Sequence, residues 1–437
     1  MKKYRDRAFH TIIKYAWRVP LYQKKWKKAG IYPHDIKRID DIKKLPFVTK
    51  KDLIDAFPED SVPSYYNRDR GQVICTSGSS GKTLLRIYVD FSVFGGATAN
   101  FLRTVDRFDL HWRKSRFVHV GNFTPNHVDL AFENGFSDKA RLFHSFNNYL
   151  TINGFDPIQD VVKQLNEFQP DLILSYPATY RHLAYFKRKG KAPNLNPKIA
   201  LVGGSITDEY TRNYVEEAFG CKMLNSYAST ESCADIAFEC EEKIWHINHD
   251  FFHVEAIDEE MNPVSSGEKG HVALTRMFGW GTPIIRYAGM DDWITLDEDY
   301  KCQCGFTTPI LKEGVEGRVS ANIFLPNGRF FSSASFASMS HFALNDLNTR
   351  KVIQFQIVQK KIDEIDFLIV LDDDLRNEAP STNIIFKKIE ESYRDKVGPD
   401  VILNFKEVDK IKSAPGKPPL LVVSHVKPED GYKIVSS

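Results

Sequence analysis

The chain has 437 residues, of which 42% are hydrophobic and 13% aromatic, with 59 basic against 57 acidic side chains. That length predicts more than one folding unit, and the apolar fraction excludes a disordered chain. A net charge of +2 gives no chain-wide attraction to polyanions, so we expect no nucleic-acid partner. The six cysteines are too sparse for a disulfide-stapled secreted domain, and no apolar run is long enough to span a bilayer. We therefore expect a cytoplasmic protein without a transmembrane segment.

The first 30 residues are rich in lysine and arginine, with apolar residues such as Phe9, Ile12 and Ile13 at helical spacing. This pattern predicts a first helix that packs its apolar face on the core and leaves a basic face in solvent. A basic amphipathic helix on a membrane surface has the same pattern, so peripheral membrane contact stays an alternative. Farther along, Thr49 is expected to cap a short helix.

Short apolar runs alternate with helical stretches between about residues 91 and 250. The expected strands cover 117–120, 172–174 and 199–202, and two of the expected helices cover 157–168 and 208–219. Strands alternating with helices predict a parallel sheet. The fold class is therefore α/β, with a layered core and a small antiparallel sheet appended at about 251–295.

Beyond Gly317-Arg318, the expected order of elements is helix, strand, strand, helix, strand. The helices are expected at about 333–342 and 382–397, and the strands at 352–358, 365–371 and 401–408. Such an α+β run of about 110 residues is long enough to bury a small core of its own. We therefore expect a large N-terminal domain, 1–317, and a small mobile C-terminal lid domain, 318–437.

A loop of small, hydroxylic and basic residues separates two expected strands, 73–76 and 84–89. Its glycines let the backbone approach an anion, and its amides, hydroxyls and lysine suit a polyphosphate. It is not a Walker loop, because two residues rather than four separate its glycines and a strand follows. A surface hairpin without a ligand is the alternative. The loop residues are Thr76, Ser77, Gly78, Ser79, Ser80, Gly81 and Lys82.

Three further segments carry groups suited to nucleotide chemistry. Residues 225–231 follow an apolar run and combine an aromatic ring, hydroxyls and a carboxylate for Mg²⁺. Asp291 is expected just after a strand, where an acid can accept hydrogen bonds from ribose hydroxyls. Lys417 lies in a loop rich in proline near the C-terminus. Taken singly, each segment also fits an ordinary loop.

In order and spacing, these segments resemble the adenylate-forming ligase superfamily, and most of all its branch of phenylacetate-coenzyme A ligases and CapK-like proteins. The similarity covers nearly the whole chain. It lies in a Gly-Lys loop, a Tyr-x-x-Thr-Glu motif, an Arg-Tyr-x-x-x-Asp motif, a Gly-Arg hinge and a C-terminal Gly-Lys, here residues 76–83, 227–231, 286–291, 317–318 and 416–417.

The resemblance implies a ligase that uses ATP and Mg²⁺ to convert a small carboxylic acid into an acyl-adenylate and then into a coenzyme A (CoA) thioester. It assigns catalytic roles to Lys417, Thr230 and Glu231, with Glu231 as the Mg²⁺ ligand. The hinge would let the lid domain change position between the two steps. Nucleotide contacts are assigned to the loop 76–82 and to Gly203, Gly204, Tyr227, Ala228, Ser229, Asp291 and Arg318.

Two other interpretations stay open. The same nucleotide motifs would serve adenylyl transfer to a hydroxyl, or acyl transfer to a hydroxyl or amine in envelope polysaccharide synthesis. Departures from the family pattern at Ala228, Met290 and Ser320-Ala321 also fit a nucleotide-binding protein without turnover. Neither the acid nor the oligomeric state follows from the sequence.

Four potential zinc ligands occur in two separate segments. Cys240 and His246 form Cys-x5-His, and Cys302 and Cys304 form Cys-x-Cys. Thiolates and imidazole are the ligands that tetrahedral zinc takes. We expect a structural zinc site if the two segments meet, and free thiols with a surface histidine if they do not.

Overall fold

The computed structural model describes residues 1–437 except 77–83, 124, 126, 141–147, 206, 291, 319–321, 328, 332, 413–418 and 427–437. The chain forms two compact units, each built from three segments. Unit 1 comprises Met1–Ser115, Asn122–Tyr149 and Ser226–Gly314, and unit 2 comprises Arg116–Gly121, Leu150–Asn225 and Val315–Ser437. The expected division into domains at Gly317-Arg318 is a different one, and it stays a prediction.

The helices and strands follow one another in chain order. The helices are α1 (Lys2–Ala16), α2 (Pro20–Lys28), α3 (Lys50–Ala56), α4 (Phe91–Arg107), α5 (Val128–Ala140), α6 (Ile158–Phe168), α7 (Pro177–Arg188), α8 (Glu209–Phe219), α9 (Ser333–Asp346) and α10 (Thr382–Val397). Among the described residues, none of these helices is both long enough and apolar enough to cross a bilayer.

The strands in the first three quarters of the chain are β1 (Gln72–Cys75), β2 (Arg86–Val89), β3 (Phe117–Gly121), β4 (Tyr149–Asn153), β5 (Leu172–Ser175), β6 (Ile199–Val202), β7 (Lys222–Ala228), β8 (Asp235–Glu239), β9 (Trp245–Ile247), β10 (Phe252–Ile257), β11 (Lys269–Arg276), β12 (Asp292–Asp297) and β13 (Ile310–Arg318). Those near the C-terminus are β14 (Ile323–Phe324), β15 (Phe330–Phe331), β16 (Val352–Lys361), β17 (Glu364–Leu371), β18 (Ile402–Glu407) and β19 (Val422–Ser424).

A parallel sheet forms the centre of unit 2, as the alternating pattern predicted. Strand β3 pairs with β5, β5 with β6, and β6 with β7, all in parallel. Apolar residues of α6, α7 and α8, among them Val161, Leu183 and Tyr214, form one core with this sheet. The register places Ser175, Val202 and Asn225 side by side at the carboxyl ends of β5, β6 and β7.

The C-terminal part of unit 2 has a second, four-stranded sheet in the order β18-β17-β16-β19. Helices α9 and α10 share its core through residues such as Phe336, Ile385 and Tyr393. The expected helix, strand, strand, helix, strand order is confirmed. Strand β19 was not predicted, because it has only three residues and acquires its extended form by pairing with β16.

Unit 1 contains antiparallel pairings, including β10 with β11, β11 with β12, and β8 with β9. The antiparallel pairing expected at about 251–295 is thus confirmed, whereas the expected small size is wrong, because the same sheet continues through β13, β9 and β8. The expected helix capped by Thr49 is α3, whose Asp52 amide donates to the threonine hydroxyl. In α1, Phe9, Ile12 and Ile13 are at most 2% exposed, so the expectation that this helix packs on the core is also confirmed.

The expectation of a strand directly before Asp291 is wrong. Residues 282–290 run as a loop with ladder pairing only at Tyr287. Pro283 lacks a backbone N–H, and Arg286 has a φ of +45°, a left-handed conformation that interrupts a strand. The strand β12 begins after the acid, at Asp292.

Candidate active site

The turn that follows β7 carries the Thr-Glu pair and is braced from two sides within unit 1. The Ser229 amide donates to Ser232 Oγ at 2.9 Å, and the Ser232 amide donates to Ser229 Oγ at 3.1 Å. Arg276, 1% exposed, donates from Nη1 to the Glu231 carbonyl at 2.9 Å and from Nη2 to the Thr282 carbonyl at 2.9 Å. These bonds fix the backbone that presents Glu231.

The Glu231 carboxylate is held by a tyrosine from a distant segment. Glu231 is 6% exposed, and Tyr287 Oη donates to its Oε1 at 2.9 Å. Burial and the neighbouring carboxylate raise the pKa of Tyr287 well above its usual value, so the hydroxyl stays a donor at neutral pH. A fixed carboxylate is the hard oxygen ligand that Mg²⁺ prefers. The donor chemistry therefore fits the expected role of Glu231, and the adjacent Thr230 is half-buried.

A second hydrogen bond, between Tyr227 and Asp292, joins the same two segments. Tyr227 Oη donates to Asp292 Oδ2 at 2.8 Å, and the tyrosine is 8% exposed. The hydrogen bond fixes the orientation of the ring that the resemblance assigns to adenine. Asp291 itself lies outside the described residues, whereas its neighbour Asp292 is part of this arrangement.

Three residues of this arrangement were not predicted as part of the site: Arg276, Tyr287 and Asp292. Tyr287 lies inside the Arg-Tyr-x-x-x-Asp motif and Asp292 directly follows it, so the motif was the available signal. Arg276 had a weaker signal, a single arginine at the end of the apolar strand β11.

The arginine that opens this motif has a structural role instead. Arg286 forms a buried ion pair with Glu255, with Nε to Oε2 at 3.0 Å and Nη2 to Oε1 at 2.7 Å. It also donates to the Leu45 carbonyl at 2.5 Å, and its guanidinium carbon lies 3.7 Å from the centroid of the Phe47 ring. Arg286 therefore ties the segment around Leu45 to the loop that carries Tyr287.

In unit 2, Gly203-Gly204 follows the carboxyl end of β6. The Gly203 amide donates to the Ser175 carbonyl at 3.1 Å. Gly204 has a φ of +77°, and a Cβ there would lie 2.7 Å from Cε1 of Tyr176. Glycine is therefore needed for both the backbone conformation and the close approach. Open α/β sheets bind ligands beyond the carboxyl ends of their strands, which is the position of this pair.

The remaining nucleotide-binding candidates are described only in part. Thr76 extends the β1–β2 hairpin, since its amide donates to the Leu85 carbonyl at 3.0 Å. Ala228 ends β7 and is exposed, and Arg318 ends β13, with its side chain outside the described part. The other candidates outside the described residues are Ser77, Gly78, Ser79, Ser80, Gly81, Lys82 and Lys417.

The four potential zinc ligands meet in unit 1. Their ligand atoms all lie within 4.8 Å of one another. Burial raises the pKa of Cys240 to about 12 and lowers that of His246 to about 4, so this imidazole is neutral at neutral pH. The alternative was free thiols with a surface histidine. Its surface histidine is wrong, because His246 is 0% exposed and the two segments come together, whereas no observation contradicts its free thiols. Cys302 and Cys304 complete the cluster.

Curated relatives match along much of the chain. Residues 335–422 match the CapK C-terminal domain family. A phenylacetate-coenzyme A ligase of Thermus thermophilus is 26% identical over 322 residues, 70% of this chain and 68% of that protein. The protein CapK of Staphylococcus aureus is 22% identical over 402 residues, 89% of this chain and 81% of that protein. Phenylacetate-coenzyme A ligases of Pseudomonas putida and Escherichia coli match over 63% of their length, which is less than two thirds.

Solved structures of adenylate-forming enzymes share the fold. The 2-hydroxyisobutyryl-CoA ligase in its postadenylation state, in complex with 2-HIB-AMP, matches with a TM-score of 0.77 at 18% identity, over 97% of this chain and 90% of that one. The same ligase with 2-HIB-AMP and CoA, in its thioesterification state, matches with a TM-score of 0.61 at 18% identity, over 97% and 90%. The expected α/β fold is confirmed. In its motifs, its relatives and its fold, the chain is therefore similar to the adenylate-forming ligase superfamily, and within it to the branch of phenylacetate-coenzyme A ligases and CapK-like proteins.

Proposed function

We propose that the chain is an ATP-dependent acid ligase that forms an acyl-adenylate, releases pyrophosphate and passes the acyl group to CoA. The observation that carries this proposal is the meeting of two distant motifs in unit 1. Tyr287 holds the buried Glu231 carboxylate, and Asp292 holds the Tyr227 hydroxyl. The similarity to enzymes named as CoA ligases supports the same reaction class.

In the first step, a carboxylate oxygen of the acid attacks the α-phosphorus of ATP, and the bond to pyrophosphate breaks. Negative charge then grows on the α-phosphate oxygens and on the leaving group, so nearby donors and cations accelerate the step. We assign the donor to Thr230 and the cation to Lys417. Glu231 would hold Mg²⁺, which when bound neutralises phosphate charge. Tyr287 keeps the Glu231 carboxylate in one orientation.

The remaining nucleotide contacts follow the family motifs. Loop 76–82 would bind the phosphates, and Gly203-Gly204 and Tyr227 would bind the adenine, with Ala228 and Ser229 beside it. Asp291 would bind the ribose, and Arg318 would lie at the nucleotide beside the hinge. We further propose that residues 318–437 act as the lid that brings Lys417 to the nucleotide for adenylation and leaves before acyl transfer.

The C-terminal match bears on a second acceptor, which we propose as the alternative. Residues 335–422 match the CapK C-terminal domain family, and CapK matches 89% of the chain. Because the lid region would shape the second step, we keep a hydroxyl or amine of an envelope saccharide as the alternative acceptor to CoA. Adenylation would be common to both reactions. Acyl transfer to CoA and to aminosugars, measured with preformed acyl-adenylate, would separate the two acceptors.

The proposed adenylation is tested by exchange of labelled pyrophosphate into ATP, with Mg²⁺ and a panel of small carboxylic acids. We expect exchange that depends on one class of acid, and a decrease of about 100-fold in the Glu231→Gln variant. Normal ATP binding without exchange for any acid would contradict the proposal. Lys417→Ala should lose exchange and keep its ATP affinity, whereas a nucleotide-binding protein without turnover has no activity to lose.

A further inference from the structure

We infer that Cys240, His246, Cys302 and Cys304 bind one structural zinc ion. This cluster takes no part in the proposed adenylation, and the inference does not depend on that reaction. A zinc site is supported by the geometry of the four side chains, by the residues around them and by the elements that they join.

The separations within the cluster are close to those of a tetrahedral zinc site. Zinc lies about 2.3 Å from sulfur and about 2.0 Å from nitrogen, so two ligated sulfurs are about 3.8 Å apart and a sulfur and a nitrogen about 3.6 Å apart. The Cys240 and Cys302 Sγ atoms are 3.8 Å apart, and Cys304 Sγ is 3.2 Å from His246 Nε2. With all four ligand atoms within 4.8 Å of one another, sub-ångström shifts suffice to close a shell around one ion.

A disulfide does not explain the same arrangement. The sulfurs of a disulfide are about 2.05 Å apart. The separation of 3.8 Å between Cys240 and Cys302 is well beyond this distance, and all three cysteines of the cluster are free. A disulfide between two of the thiols would also not explain why the third cysteine and the buried histidine lie beside them.

Neighbouring residues orient His246 and offset the charge of the cluster. Thr308 Oγ1 lies 3.4 Å from His246 Nδ1, which leaves Nε2 directed at Cys304 and is the outer contact that ligating histidines usually have. Arg107 interacts electrostatically with Cys240 and Cys304, and its guanidinium carbon lies 3.1 Å from the centroid of the Phe238 ring. Three thiolates and one Zn²⁺ carry a net charge of −1, and the adjacent arginine offsets it.

The cluster ties a long loop to strands that are already paired, since β8 pairs with β9 and β9 pairs with β13. Cys240 directly follows β8, His246 lies in β9, and the Cys-x-Cys pair lies in the long loop between β12 and β13. Four protein ligands leave no open position, which is typical of a structural site rather than a catalytic one. Because β8 begins directly after the turn that presents Glu231, the ion would stiffen the support of that turn.

The test is the zinc content of the full chain, purified under reducing conditions, loaded with zinc and desalted. We expect about one zinc per chain in the wild type, and at least a tenfold lower content in the Cys302→Ser/Cys304→Ser double variant. Cys221→Ser is the matched control, because Cys221 lies outside the cluster, and it should keep the wild-type content. Equal zinc contents in the wild type and the double variant would overturn the inference.

A second measurement does not depend on whether the double variant folds. The wild-type chain, stripped of metal with a chelator, is titrated with Co²⁺ and followed by absorption. We expect the charge-transfer band of thiolate bound to cobalt together with the visible bands of a tetrahedral site. Absence of both, or a Cys240–Cys302 disulfide in peptide maps of protein alkylated at once after lysis, would overturn the inference.

Discussion

Among single residues, Tyr287 has a measurable role because its partner is a buried carboxylate. Removal of a hydrogen bond to a buried charged group costs roughly 1.5–3 kcal/mol. We predict that Tyr287→Phe lowers the free energy of unfolding by this amount in chemical denaturation, because Glu231 Oε1 loses its donor. Tyr66→Phe is the control, since the buried Tyr66 Oη has no hydrogen-bond partner among the described residues. Equal effects of the two substitutions would contradict the assigned role.

Arg286 supports a second prediction, on stability. Breaking a buried ion pair leaves an uncompensated charge and costs about 3–5 kcal/mol. We predict that Arg286→Ala is destabilising by this amount, and that the double variant Arg286→Met/Glu255→Leu recovers much of the loss because no charge stays buried. Unfolding in denaturant measures both, and Lys24→Ala, at an exposed ion pair, should show no measurable change. A double variant less stable than Arg286→Ala would contradict the explanation.

The sequence allowed some of these residues to be predicted, for a physical reason. Glu231 stands in a compact motif whose chemistry can be recognised without the fold. Its partner Tyr287 is 56 residues away along the chain, and only the folded backbone brings the two together. The zinc ligands were predictable in part. Their residue types and spacing indicated a possible site, but the contact between the two segments became known only from the structure.

The apolar patterns of the sequence predicted strands well where consecutive residues of the strand are buried. The strands β5 and β6 are almost fully buried, so their apolar runs are unbroken and were predicted to within one residue. The two-residue strands β14 and β15 were missed because such short segments carry no period. The loop before β12 was mistaken for a strand because Ile284 and Ile285 are buried there without a ladder.

Helix α7 is joined to strand β16 by one arginine, and this contact leads to a third prediction. Arg181, 5% exposed, donates to the Val352 carbonyl at 2.8 Å and the Ile353 carbonyl at 2.6 Å. We predict that Arg181→Met speeds amide hydrogen exchange at residues 349–355 and leaves the exchange of α10 unchanged. The reason is that fewer contacts must then break before residues 349–355 open locally. Arg188→Met, at a more exposed pair with Glu217, is the control. Unchanged exchange at 349–355 would contradict this role of Arg181.

Across the chain as a whole, the fold is that of the adenylate-forming ligases, while the proposed reaction rests on how two motifs meet around Glu231. The resemblance to solved adenylate-forming enzymes covers 97% of the chain, so the fold alone does not distinguish one acid or acceptor from another. What distinguishes an adenylate-forming ligase from other ATP-dependent enzymes is the bond that the carboxylate makes, which can be followed by isotope labelling.

The most direct measurement uses the acid that supports pyrophosphate exchange, labelled with ¹⁸O in its carboxylate, together with ATP, Mg²⁺ and CoA. Attack on the α-phosphorus places one carboxylate oxygen between the acyl group and AMP, and acyl transfer then breaks the bond from that oxygen to the acyl carbon. We predict that the AMP carries one ¹⁸O for each thioester formed. Formation of ADP with labelled phosphate, or of AMP without label, would contradict adenylate formation by this chain.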